Sequence, residues 1–207
     1  AAENKFFGKP CGLLDQMTSS VGSFVEIDFA DPAKPVIEKL DFDFASCGYA
    51  LCIVDTGGSH SDLTDEYAAV RKEMESVAEY LGKSVLREVD EDEFMKNIAD
   101  IRSSCGDRAV LRAMHFYGDN ARVEKQAAAL KAGDFETFKK YIIESGRSSY
   151  MYNQNVYSCK KASEQPVSLA LSLSEKLLDG CGAWRVHGGG FAGTIQAFVP
   201  LNKIDEY

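Results

Sequence analysis

Hydrophobic residues recur with two different periods along this chain, and the change of period marks out the elements. In residues 11 to 22, Leu13, Leu14, Met17 and Val21 fall at helical spacing, with Gly22 as a stop. "SFVEIDF" then alternates apolar and polar, "DPAKP" turns the chain, and "VIEKLDFDF" alternates again, which predicts a β-hairpin. "GYALCIVDTG" is an unbroken apolar run closed by Asp-Thr-Gly and reads as a buried strand. Helical spacing returns over residues 64 to 81, with Thr64 expected as N-cap and Tyr67, Val70, Met74, Val77 and Leu81 on one face; Gly82 ends it. A shorter acidic helix is expected over 90 to 102 and a longer one over 107 to 132. Asp134 is expected to cap the next, whose inner face carries Phe135, Phe138 and Ile142. Residues 164 to 179 carry a wide stripe of Val167, Ala170, Leu171, Ser174, Leu177 and Leu178. "GAWRVHGGGFAGTIQAFVP" closes the chain as strand, glycine turn and strand. Strands, then helices, then strands is an α+β order, with a boundary expected near residues 44 to 48.

Composition narrows the function classes. The 207 residues are 45% hydrophobic and 27% charged, the profile of a globular protein able to bury a core. Lys and Arg number 23 against 32 Asp and Glu, a net charge of -9 with no basic cluster, which argues against a nucleic-acid partner. No run approaches the roughly 20 apolar residues of a membrane span. The opening "AAENKFFGKP" lacks both an initiating Met and the apolar core of a signal peptide, so a processed or trimmed chain is expected. The six cysteines are thinly spread and show no metal-ligand spacing with the three histidines, which favours reduced thiols over disulfides or zinc.

Three places could carry chemistry. Asp15 lies in the first turn of the first helix, where the dipole favours an anion. It is either a solvated first-turn carboxylate or a group that orients or deprotonates a hydroxyl. "HGGGFAG" fits G-x-G-x-x-G, but the following "TIQAFVP" reads as a strand, so a dinucleotide site is rejected. What remains is a glycine hairpin, either a plain turn or a backbone surface for a ligand. "DTGGSHSDLTDEYAAVR" offers Asp55, His60, Tyr67 and Arg71. Tyr67 suits core packing or a cavity wall with its hydroxyl turned to a ligand; His60 has no companion metal ligands, and His187 stands beside the glycines as space filling.

Taken in order, these stretches resemble the galactokinase family of the GHMP kinase superfamily. "AENKFFGKPCGLLDQMTSSVG" is similar to its Ala-Glu-Asn…Cys-Gly-hydrophobic-hydrophobic-Asp-Gln signature. "DTGGSHSDLTDEYAAVRKEM" is similar to its Asp-Thr…Glu-Tyr…Arg segment. "RAMHFYGDNARVEKQAAAL" is similar to its His…Glu-Asn-x-Arg-Val helix, with Asp119 for Glu. "GAWRVHGGGFAGTIQAFVP" is similar to the third superfamily motif. The resemblance runs from residue 2 to about 200. It implies transfer of the γ-phosphoryl of ATP to the anomeric hydroxyl of galactose in the cytoplasm, with Mg2+. It places Asp15 as the catalytic carboxylate, Gly12, Asp15 and Tyr67 at the sugar, and Gly188, Gly189 and Gly190 near the ligands. No residue here is implied as a metal ligand.

Two family features have no counterpart in these residues: the Glu-His-x-Asp sugar clamp and the Gly- and Ser-rich loop that holds the ATP phosphates. The resemblance is therefore to the C-terminal half of such a kinase, inactive alone. Residues 1–45 would be the tail of the N-terminal domain, and 46–207 a ferredoxin-like C-terminal domain with extra helices. ATP and Mg2+ would be held mainly by the missing half. The cut segment is expected to expose Phe6, Phe7, Phe24 and Ile27, and so to pack on a second chain or rearrange. Ala68 replaces the Asn usual after that Tyr, and His187 the Thr usual before the glycines. A kinase for N-acetylgalactosamine or arabinose, or a non-catalytic sugar- or partner-binding module, remains an alternative.

Overall fold

A computed structural model of the chain describes residue 6, residues 12–58 and residues 63–207. Readings that fall on Phe7, Cys11 and His60 lie outside the described residues. The first helix, α1, runs Leu14–Val21 and ends at Gly22. Strands β1 (Phe24–Asp28) and β2 (Val36–Leu40) form the expected antiparallel hairpin, with Phe24 opposite Leu40 and Asp28 opposite Val36.

A three-stranded antiparallel sheet forms the body, ordered β3 (Tyr49–Asp55), β5 (Thr194–Pro200), β4 (Ala183–Val186). Strand alternation divides its residues between two faces. One face presents Cys52, Trp184, Ile195, Ala197 and Val199. It is covered by the last helix, α7 (Pro166–Leu178), through Val167, Leu171 and Leu178, and by Tyr207. The other face presents Ala183 and Phe198 to Phe135, Phe138 and Ile142 of α6 (Phe135–Ser148). Expectation and structure part at β3. It is an edge strand, and Leu51 and Ile53 are 42% and 51% exposed rather than buried. Its continuous apolar run anticipated two covering layers. Beyond the reach of α6, nothing among the described residues covers that part of the face.

Between β3 and β4 stand α2 (Thr64–Tyr80), the short α3 (Glu91–Lys96), α4 (Ile98–Cys105) and the long α5 (Asp107–Lys131), followed by α6. Thr64 is not the N-cap of α2; Leu63 holds that place, and its carbonyl accepts from Glu66 and Tyr67 N–H. The single acidic helix expected over 90 to 102 is two helices. Asn97 separates them, its Nδ2 donating back to the Glu93 carbonyl at 2.8 Å and so competing with a continued ladder. Asp134 caps α6 as expected, accepting the Thr137 N–H at 3.0 Å. Val77, Phe94, Ile101, Val110 and Ala113 form a second core between α2, α4 and α5.

The hairpin is tied to this body. Phe44 sits among Phe24, Phe198 and Phe135, with ring centroids at 4.4, 4.9 and 5.5 Å. Lys131 of α5 reaches Glu38 at 2.8 Å and Glu26 at 3.6 Å. Phe24 and Ile27 are consequently half-buried rather than exposed; of the expected apolar surface, Phe6 is 85% exposed. Burying one Phe is worth about 1.5–3 kcal/mol, and edge-to-face pairing adds about 0.5–1.5 kcal/mol. The aromatic hub therefore outweighs the two exposed ion pairs in fixing the hairpin. No helix among the described residues is long and apolar enough to cross a membrane.

Candidate functional site

Glycines 188–190 connect β4 to β5, and two elements grip them from opposite sides. From α2, the Tyr67 hydroxyl donates to the Gly190 carbonyl at 2.9 Å. Its ring lies against Gly189, where an added Cβ would stand 2.7 Å from Tyr67 Cε1, so only glycine admits the ring. Burial pushes the Tyr67 phenol pKa up, which keeps the hydroxyl a donor. From the segment before α7, Asn155 Nδ2 donates to the Gly189 carbonyl at 3.1 Å, and the Asn155 carbonyl accepts the Phe191 N–H at 2.5 Å. Gly190 has φ +81°, and a Cβ there would lie 1.9 Å from the Asn155 carbonyl oxygen.

The far end of the turn is equally fixed. Phe191 is buried with Leu63 and Ala192, and its ring meets Tyr67 edge-on at 5.4 Å. Both the N–H and the hydroxyl of Thr56 donate to the Gly193 carbonyl, at 2.8 and 2.6 Å. Among the described residues, the N–H groups of Gly188, Gly189 and Gly190 meet no acceptor, and Gly188 and Gly189 are exposed. A run of free backbone donors on a rigid turn can receive an anionic oxygen. The strand expected after the glycines is present as β5, which agrees with rejecting a dinucleotide site.

The remaining candidates are placed as follows. Asp15 is exposed in the first turn of α1, caps nothing, and makes no hydrogen bond or ion pair among the described residues. Gly12 is exposed, with open space where a Cβ would stand. Tyr67 and Gly188–Gly190 are joined by a hydrogen bond and ring contact, and among the described residues no hydrogen bond joins Gly12 or Asp15 to them. Asp55 accepts the Gly57 N–H at 2.9 Å, and Arg71 pairs with Glu75 on its own helix at 2.7 Å; both are exposed. His187 is exposed and shares a hydrogen bond with Gln196 at 3.0 Å. A cavity of about 700 Å³ opens beside the turn, bounded by Gly57, Gly58, Lys160, Phe191 and Ala192.

Sequence reasoning missed Asn155. It lies in "NQN", a stretch without periodicity, and no local signal distinguishes it from a loop residue. It also missed the cluster between α5, α6 and β4. There Asp119 accepts from Ser145 at 2.6 Å and Arg122 at 3.0 Å, Arg185 reaches Ser145 at 2.6 Å, and His115 meets Ser148 at 2.9 Å.

Comparison with known proteins now bears on this arrangement. No protein-family model matches the chain. Galactokinase of Actinobacillus pleuropneumoniae serotype 5b (strain L20) is 28% identical over 204 residues, which is 99% of this chain and 50% of that protein. Galactokinase of Homo sapiens is 33% identical over 198 residues, 96% of this chain and 47% of that protein. Both matches fall on the relatives' C-terminal half. Over nearly its whole length the chain is similar to the C-terminal half of galactokinases. It spans about half the length of the galactokinases it matches. The crystal structure of Lactococcus lactis galactokinase complexed with galactose superimposes with a TM-score of 0.72, covering 99% of this chain and 50% of that galactokinase. At 22% identity that match speaks for the α+β fold alone.

Proposed function

We propose that the chain supplies the C-terminal portion of a sugar kinase that transfers the γ-phosphoryl of ATP to the anomeric hydroxyl of galactose. The observation that carries this reading is similarity to galactokinases over 99% of the chain. The arrangement of the proposed site residues supports it. Phosphoryl transfer depends mainly on positioning and on stabilising charge, with a carboxylate aligning or deprotonating the attacking hydroxyl. Asp15 is a carboxylate without a structural partner among the described residues, in the first turn of α1. The exposed N–H groups of Gly188 and Gly189 are suited to an anionic oxygen of a ligand. Tyr67, given to the sugar by the resemblance, presents its ring edge beside the same turn, while its hydroxyl is engaged at Gly190.

The described residues hold no group of three carboxylate, imidazole or thiol side chains that could bind a metal ion. In this proposal ATP and its metal are bound by the half that the relatives possess beyond this match. The chain alone therefore lacks the groups that supply most of the transition-state stabilisation.

The experiment is an assay of ADP release with galactose, N-acetylgalactosamine and arabinose as acceptors. It compares the 207-residue chain with the complete product of its gene. The expected result is turnover with galactose by the complete product and none by the chain. Robust turnover by the chain alone, or none by the complete product with any of the sugars, would contradict the proposal.

A further inference from the structure

We infer that Asn155 is a positioning residue: it sets the direction of the Gly188–Gly190 backbone, and through it the rate of the proposed transfer. The catalytic half of this inference rests on the sugar-kinase reading; the structural half rests on geometry alone. Asn155 is 5% exposed, and its side-chain amide spans the gap to the Gly189 carbonyl. A carbonyl partner requires a donor, which fixes the amide with Nδ2 toward the glycines. Oδ1 is then buried and has no partner among the described residues. Such a group costs about 1–3 kcal/mol, a cost that an apolar side chain of similar size would avoid. The amide is thus a poor choice for stability, and the contact it makes is with the exposed glycines.

Asn155 can act on the turn because it is itself held from behind. A π-helical turn, Ser149–Asn153, precedes it, and Gln154 takes a left-handed φ of +55°, its N–H donating to the Ser149 carbonyl at 2.8 Å. The Asn153 carbonyl accepts from Nε of Arg112 at 3.0 Å. Arg112 is fully buried, and its Nη1 meets Glu73 at 2.8 Å. Glu73 belongs to α2, the helix that also presents Tyr67 to the other side of the turn. One helix therefore references both jaws of the clamp: Tyr67 directly, and Asn155 through Glu73, Arg112 and the π-helical turn. Among the described residues the three N–H groups between the jaws have no acceptor of their own, so their direction follows the two carbonyls that are held.

Two variants test this. Asn155→Leu removes the donor and the orphaned oxygen. Asn155→Asp keeps the size and replaces the donor with an acceptor that repels the Gly189 carbonyl. Both leave the backbone carbonyl that receives the Phe191 N–H. In the 207-residue chain, hydrogen–deuterium exchange is read at the Phe191 and Ala192 N–H groups, which bond to the Asn155 and Gly190 carbonyls, against α5 and α7. In the complete gene product, kcat and KM for galactose are read separately. The expected result is exchange at Phe191 and Ala192 at least about 10-fold faster, with α5 and α7 unchanged. With it comes a kcat lowered by about 10- to 100-fold, while KM for galactose stays within about 2-fold. Should Asn155→Leu fail to fold, Asn155→Asp carries the same expectation. Unchanged exchange at Phe191 and Ala192 overturns the clamp. Faster exchange with unchanged kcat overturns the positioning role. Absence of kinase activity in the unaltered product overturns the sugar-kinase reading, and the exchange measurement still decides the clamp.

Discussion

One imidazole shows how strongly burial governs single residues in this protein. His115 is enclosed between α5, α6 and β4, facing Ser148, Asp119, Arg122 and Arg185. Burial lowers its pKa below the ordinary 6.5; Asp119 pulls the other way, and Arg185 and Arg122 add to the lowering. At neutral pH it is therefore a neutral hydrogen-bonding ring rather than half of an ion pair. The linkage follows from that direction. The unfolded chain takes up a proton near pH 6.5 and the native chain only at lower pH, so below that value the unfolded state binds more protons. The contribution to stability is complete above pH 6.5 and is lost as pH falls through 6.5 toward the lowered native pKa. Urea unfolding at pH 7.5 and 5.5 checks this: the gap between wild type and His115→Gln is expected to shrink or reverse at the lower pH. A gap independent of pH would show that His115 titrates alike in both states.

Among the elements, the contact of α2 with α5 depends on a charge triad. Arg108 grips Glu73 with Nε and Nη2, at 3.0 and 2.5 Å to Oε1, while Arg112 reaches the second oxygen at 2.8 Å. Among the described residues Arg112 forms no other ion pair. Removing Glu73 would strand a fully buried guanidinium, whereas removing both charges would not. Glu73→Ala is expected to lower unfolding free energy by about 3–5 kcal/mol, and adding Arg112→Met to restore part of it. Denaturant titration of the single and double variants reads this coupling, and simple additivity would refute it. Most elements were legible from the chain. The helical stripes around Val77, Phe138 and Val167 are set by local spacing, and the caps at Asp134 and Gly82 by local backbone chemistry. The triad was not, because Glu73 lies 35 and 39 residues from its two arginines and only the packing of two helices brings them together.

At the scale of the whole molecule, the described residues form an α+β structure with apolar surface left over. Leu13 and Leu14 of α1 are 46% and 55% exposed, no residue of α1 is buried, and the Leu51–Ile53 face of the sheet is bare. A sequence run has the same composition whether or not a layer covers it, so the exposure of β3 could not be read beforehand. The candidate site was legible in part for a related reason. Glycines 188–190 and Tyr67 lie in patterned stretches, whereas the role of Asn155 exists only once α2, α5 and the π-helical turn are assembled. Asp15 was read from its motif, and in the structure it stands exposed on α1. In the proposed reading, the pocket joining Asp15 to the glycine turn is completed by the part that the relatives possess beyond this half-length match. The most direct measurement is galactose phosphorylation by the complete gene product carrying Asp15→Ala. The account predicts that kcat falls by about 100-fold or more with the folded content unchanged. Phosphorylation at the wild-type rate would contradict it.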